Sequence, residues 1–130
     1  MACFEEALAY TGKRQAFGRP VAAYQLTQAK LADMLTEITK GQLLALQLAR
    51  LKEAGRLRAE QVCLAKRNNV RMALEVARTA RGMLGARGIS DACQSMRHMC
   101  NLESVDTYEG TYEVHTLALG RDLTGIDAFQ

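Results

Sequence analysis

Tryptophan is missing from this chain, proline occurs once, and aromatic residues make up only 5% of it. The hydrophobic fraction of 48% therefore falls to Ala, Leu, Met and Val, a mixture that favours helices. No apolar run approaches the roughly 18 residues of a membrane span. The opening MACFEEALAY carries acids where a signal peptide would carry lysine or arginine, so a soluble, cytoplasmic protein is expected. No block of like charge occurs: 17 basic residues stand against 14 acidic ones, for a formal charge of +3. Basic residues do gather between Arg50 and Arg71, but Glu53 and Glu60 interrupt them and no aromatic is interleaved to stack on bases. They read as a solvated face, and nucleic acid is not an expected partner.

Cys3, Cys63, Cys93 and Cys100 form no CxxC pair and have no histidine at zinc-ligand spacing, so no metal site is expected. On one helix Cys93 and Cys100 would stand about 10 Å apart, beyond disulfide reach. Free thiols fit a reducing compartment.

What is present is helical patterning over 130 residues, about one domain's worth. Residues 2–14 place Phe4, Ala7, Leu8 and Thr11 on one face, with no cap before them. QAFGRP, residues 15–20, breaks that helix through Gly18 and Pro20. A long amphipathic helix is predicted over 25–54, its inner stripe running through Leu26, Leu31, Met34, Leu35, Ile38, Leu44, Ala45, Leu48, Ala49 and Leu51. Gly55 stands at its C′ position, and a second long helix is predicted over 59–84, packed antiparallel to the first. LGARGISD interrupts at Gly85 and Gly88, Ser90 or Asp91 would cap a shorter helix through Leu102, and a last helix is predicted over 112–126. No β-type alternation exceeds four residues.

The chemistry gathers at TYEGT, just before that last helix. Glu109 precedes Gly110, and a glycine at a helix start lets a ligand approach the backbone N–H groups closely. From the residues alone Glu109 has two readings: a helix-start acid that caps or complements the dipole, or a carboxylate presented to a ligand.

R-x-x-F-G-R-P at Arg14–Pro20, KRNN at Lys66–Asn69, MLGARGISD at Met83–Asp91 and RHMCNLESVDTYEGTYEVHTLALGRDLTGIDAF at Arg97–Phe129 occur in order along the chain. Together they resemble the C-terminal helical domain of the acyl-CoA dehydrogenases, nearest to the glutaryl-CoA dehydrogenase branch, from about Cys3 to Phe129. The resemblance implies an all-α, up-and-down four-helix bundle whose first helix is truncated, with residues 1–130 as a single domain. It implies a flavoenzyme that desaturates an acyl-CoA thioester between its α and β carbons. Glu109 matches the base that removes the α proton, while hydride leaves the β carbon for FAD. A free glutamate, with a pKa of about 4.3, is a weak base toward C–H, so that role needs desolvation by the acyl chain and flavin. The glutaryl branch adds loss of the γ-carboxylate as carbon dioxide.

Other roles are also implied by the resemblance. Tyr108 would line the acyl pocket, and Gly110 would let the thioester carbonyl meet a backbone N–H. Arg14 and Phe17 would reach the FAD of a neighbouring subunit, the guanidinium meeting the pyrophosphate. Gly85, Gly88, Thr111 and Glu113 would complete the FAD contacts. Departures stand beside these matches: Ala16 replaces an amide or hydroxyl donor, and Ala86 and Arg87 replace the second glycine and the asparagine of LGGNG. The Cβ of Ala86 would crowd the cofactor if the position needs positive φ, and Arg87 would bring a charge toward the pyrophosphate. His98 and His115 match histidines of the glutaryl branch and are read as structural, as neither lies a helical step from Glu109.

The family also has an N-terminal helical domain and a middle β domain, and Met1 falls inside what the family makes one continuous helix. The expectation is a fragment, inactive alone, of a homotetrameric enzyme that passes electrons to an electron-transfer flavoprotein. The alternative is a catalytically inactive helical oligomerisation module derived from the same domain.

Overall fold

The computed structural model describes residues 1–128; Phe129, the last residue of the resemblance, lies outside them. Helix α1 spans Ala2–Lys13, and two two-residue strands, β1 (Gln15–Ala16) and β2 (Arg19–Pro20), form an antiparallel hairpin. A 3-10 turn at Val21–Ala23 leads into α2 (Gln25–Glu53), followed by α3 (Ala59–Met83), a 3-10 turn at Gly85–Ile89, α4 (Gln94–Thr107) and α5 (Tyr112–Thr124).

The chain runs up, down, up and down. Cys3 shares a groove with Ala73 and Ala77, whereas Lys13 shares one with Leu84, so α1 runs parallel to α3. Gly41 faces Asn69 and Met72 while Met34 lies beside Val76 and Thr79, so α2 is antiparallel to α3. Arg78 reaches Glu103, Arg71 reaches Asp106, Arg67 reaches Thr116 and Arg58 reaches Asp122. Along α3, then, α4 and α5 descend one after the other. They share the fourth position of the bundle, and the residues between them make a break in what is otherwise one rod.

Packing density explains why so few aromatics suffice. Ala7, Ala77 and Ala80 are essentially inaccessible and let α1 lie close on α3; Cys3, Phe4, Met34, Ile38 and Val76 close around them, with Leu31, Met72, Met83, Met99 and Leu102 at the margin. Gly41 does the same for α2: a Cβ there would come within 2.6 Å of Met72 Cε, and its carbonyl accepts from Asn69 Nδ2 at 3.1 Å. Thr11 is buried at no polar cost because its hydroxyl donates to the Ala7 carbonyl at 2.8 Å.

Several expectations need correction. Leu26 is 80% exposed and Leu35 is also exposed. At 100° per residue both lie about 80–100° around α2 from the Met34–Ile38 line that faces α3. Leu8 is exposed, although Phe4, Ala7 and Thr11 point inward. The N-cap position of α4 is Cys93 rather than Ser90 or Asp91, and its side chain makes no capping bond. Ser90 is taken up by the 3-10 turn, its hydroxyl donating to the Arg87 carbonyl at 2.8 Å, and the Glu6 carboxylate accepts from the Gln94 N–H at 3.1 Å. Helix α4 also runs to Thr107, which makes it longer than α5 and a full bundle element.

Candidate active site

Glu109 stands in the break between α4 and α5 with φ at +55°, and Gly110 follows at +94°. Among the described residues, Phe17 is the other non-glycine residue with positive φ, at +49°. A left-handed conformation costs an L-residue roughly 1–2 kcal/mol, so something must hold Glu109 there.

The support comes from α3. The Lys66 ammonium donates to the carbonyl oxygens of Tyr108 and of Gly110, the latter at 2.7 Å, and thus straddles Glu109. A hydrogen bond from a charged donor contributes about 1.5–3 kcal/mol net, so two of them outweigh the backbone strain. A cation is also favourable where α4 leaves carbonyls without partners. One turn further along α3, Arg71 pairs with Asp106 at 3.7 Å and Glu113 at 3.9 Å, tying the end of α4 to the start of α5. Arg67 donates to the Tyr112 hydroxyl at 2.6 Å, and the guanidinium groups of Arg67 and Arg71 lie 4.5 and 4.2 Å from the Tyr112 ring centroid.

The contacts around Thr111 and Glu113 show which residues serve the start of α5. The cap of α5 is Thr111, whose hydroxyl accepts from the Val114 N–H at 3.4 Å. Glu113 is the acid of the first turn, and its carboxyl is held below the usual carboxylate range by its own backbone N–H, then by the Thr111 hydroxyl and Arg71. Glu109 is left over: it is exposed and makes no hydrogen bond or ion pair with any described residue. Tyr108, beside it, is half exposed. A carboxylate held on a fixed backbone and free of partners is available to accept a proton. Its shielding from water would have to come from what binds beside it.

His115 packs at this junction. A Cβ at Gly110 would lie 2.9 Å from His115 Nε2, so the imidazole packs on the bare face of Gly110, and that nitrogen is buried without a partner. His98 lines a separate groove with Cys3 and Leu102.

The other predicted residues lie elsewhere. Arg14, Lys13 and Arg87 line one groove of about 370 Å³ with Glu6 and Tyr10, at the α3 end marked by Leu84. Phe17 and Gly18, with φ of +49° and +81°, are the two central residues of the hairpin turn, and Phe17 is 98% exposed at its tip. Gly85, at φ +60°, ends α3, and Ala86 has no positive φ, so the feared strain does not arise. Gly88 is buried by need of packing: a Cβ there would collide with the Arg81 carbonyl and come within 2.9 Å of Leu84 Cβ. Lys66 and Leu84 are 18 positions apart on one helix, which puts the two groups of residues about 27 Å apart within a chain.

The resemblance calls for an all-α helical bundle, and the comparisons agree on that fold. Residues 1–124 match the family model "Acyl-CoA dehydrogenase, C-terminal domain", and the chain belongs to that family. A crystal structure of glutaryl-CoA dehydrogenase from Mycobacterium smegmatis is similar with a TM-score of 0.97 and 59% identity, over 99% of this chain and 33% of that one. A second M. smegmatis structure, a glutaryl-CoA dehydrogenase in complex with FADH2, is 50% identical with a TM-score of 0.96, over 98% of this chain and 33% of that one. The short-chain specific acyl-CoA dehydrogenase of Megasphaera elsdenii is 31% identical over 92% of this chain and 31% of its own. The chain thus spans about a third of the length of the relatives it matches. Among the described residues no helix is long and apolar enough to cross a membrane, and no cluster of three metal-ligating side chains occurs.

Proposed function

We propose that this chain is the base-bearing helical domain of an FAD-dependent acyl-CoA dehydrogenase that oxidises glutaryl-CoA. One observation carries the reading: the unpaired Glu109 carboxylate on a clamped, left-handed backbone. Its role is to take the α proton of a bound thioester, with Tyr108 against the acyl chain and Gly110, which has no side chain, admitting the thioester carbonyl to the backbone N–H groups before α5. Binding of the acyl chain displaces water from Glu109 and raises its basicity.

Bound FAD supplies the two-electron acceptor for the β hydride. Its fit rests on two features: Phe17, a wholly exposed aromatic at a hairpin tip, and the groove where Arg14, Lys13 and Arg87 stand free of ion pairs with described residues. Three cations around one groove suit a diphosphate. Thr111 and Glu113 lie on the Glu109 side, whereas Arg14, Phe17, Gly85 and Gly88 lie about 27 Å away along α3. A second copy must therefore bring the latter group to the former's flavin, which favours a homo-oligomer, and a tetramer by family resemblance. An electron-transfer flavoprotein is the proposed electron acceptor, and the bacterial cytosol or the mitochondrial matrix the proposed compartment. Loss of carbon dioxide from the γ-carboxylate would follow desaturation, Glu109 in its protonated form returning a proton to the product.

The test uses the intact enzyme carrying this domain. Glutaryl-CoA should bleach bound FAD and release carbon dioxide, and butyryl-CoA should do neither at a comparable rate; absence of bleaching by any acyl-CoA would refute the reading.

A second reading, an oligomerisation module without activity, is favoured by the exposure of Leu26, Leu43, Leu46, Val62, Leu64 and Leu123. It predicts that the purified chain self-associates identically whether or not FAD is added. Association that depends on FAD would count against it.

A further inference from the structure

We infer that Lys66 is a positioning residue for the base: its ammonium, bound to the carbonyls on both sides of Glu109, sets the direction in which that carboxylate is presented. The inference rests on the proposed role of Glu109.

Three observations meet at this point. Lys66 is half-buried on α3 and donates to Tyr108 O and Gly110 O, two carbonyls that bracket a single residue. A backbone unit held at both of its ends has its remaining torsions fixed, so the Cα–Cβ vector of Glu109 is fixed with it. The ammonium also lies 5.6 Å from the Tyr108 ring centroid, which holds the neighbouring aromatic over the same charge. The imidazole of His115 also closes against Gly110, so the turn is held from α3 and from α5 at once.

The alternatives for Lys66 are weaker. Lys66 forms no ion pair among the described residues, so it does not serve a surface charge network as Arg71 and Arg78 do. Its chain is committed to main-chain oxygens 42 and 44 residues away; the Tyr108 carbonyl stands at the end of α4, where a cation helps that helix, but the Gly110 carbonyl belongs to no helix. Arg71 already joins the ends of α4 and α5 through their side chains. What Lys66 adds is control of the backbone at Glu109 itself.

Two measurements test this. In the 130-residue chain, NMR order parameters of the Glu109 and Gly110 amides should be those of rigid backbone, about 0.85, and fall below about 0.6 in Lys66→Met, with the α3 core unchanged. In the intact enzyme, Lys66→Met should slow exchange of the substrate α proton about 100-fold, the loss expected from a misplaced reacting group. KM and FAD content should stay within about twofold, and Lys66→Arg, which keeps two donors, should recover at least tenfold of the loss. In a Glu109→Gln background Lys66→Met should add nothing further. Unchanged order parameters and an unchanged exchange rate overturn the inference, as does a loss that comes with release of FAD and no recovery by arginine. If Glu109→Gln itself leaves α-proton exchange intact, the base assignment fails, and the order parameters still decide whether Lys66 holds the turn.

Discussion

The hairpin at Gln15–Pro20 and the junction between α4 and α5 share one backbone oddity and support it in opposite ways. Each places a non-glycine residue at positive φ, Phe17 at +49° and Glu109 at +55°. At the hairpin the support is local: register pairs Gln15 with Pro20 and Ala16 with Arg19, and a two-residue turn with both φ values positive matches the twist of the strands. The Tyr24 hydroxyl donates to the Ala16 carbonyl at 2.8 Å, and Arg19 lies 4.1 Å from the Tyr24 ring centroid, all within ten residues. At the junction the decisive support is distant, from Lys66 and Arg71 on α3, and only the ring of His115 comes from nearby in the chain. A side chain offered by a local turn can be exposed but stays at the mercy of that turn. One offered from a tertiary clamp has a direction fixed by the whole bundle, which the proposed abstraction of a proton from carbon would require.

That contrast can be broken by substitution. Gly110→Ala has the largest expected effect, about 2–4 kcal/mol of lost stability in urea unfolding, because φ is +94° and the new Cβ meets the His115 ring. Gly18→Ala sits at a similar φ of +81° with nothing within 4 Å, and should cost only about 1–2 kcal/mol. Equal losses at the two sites would mean that the junction is no more crowded than the hairpin. Tyr24→Phe removes one hydrogen bond and should cost about 1 kcal/mol, with no change in NMR shifts around Glu109. Phe17→Gly and Glu109→Gly should each raise stability, by about 0.5–1 kcal/mol in thermal unfolding, since each relieves left-handed strain. A loss of stability at either would show that the side chain makes contacts the account omits.

The smallest effect concerns acid. Glu113 has a depressed folded-state pKa, so its contribution is present above the unfolded value of about 4.3 and is lost as pH falls through the folded one. Against Glu113→Gln, the wild-type chain should therefore lose stability only below pH about 4.5, and the difference between them should be flat from pH 6 to 8.

Much of this was legible in the sequence. Periodicity placed the long helices to within a residue or two, Gly55 does end α2 with φ at +64°, and TYEGT is the junction expected between the last helices. The two-residue strands escaped because two residues carry no alternation to detect. The N-cap of α4 falls beyond Ser90 and Asp91 because Ser90, a good capping residue, ends the preceding 3-10 turn instead. Leu26 and Leu35 fall on the expected inner stripe because α2 is apolar around more than one face, and only the partner helix says which face is inner. The clamp was harder still. KRNN stood out as a motif, but nothing local says that Lys66 bonds to carbonyls 42 and 44 residues on, or that Asn69 serves Gly41. No helical step joins His115 to Glu109, and its structural role is packing: the ring folds back on Gly110, outside the helix to which that periodicity applies.

The most direct measurement is the rate at which the intact flavoenzyme exchanges the α hydrogen of a bound, non-oxidisable acyl-CoA with solvent deuterium, compared between wild type and Glu109→Gln. A fall of about 10²–10⁴-fold with FAD and thioester still bound is predicted. An undiminished rate would contradict the account, because the proton would then be leaving by way of some other group.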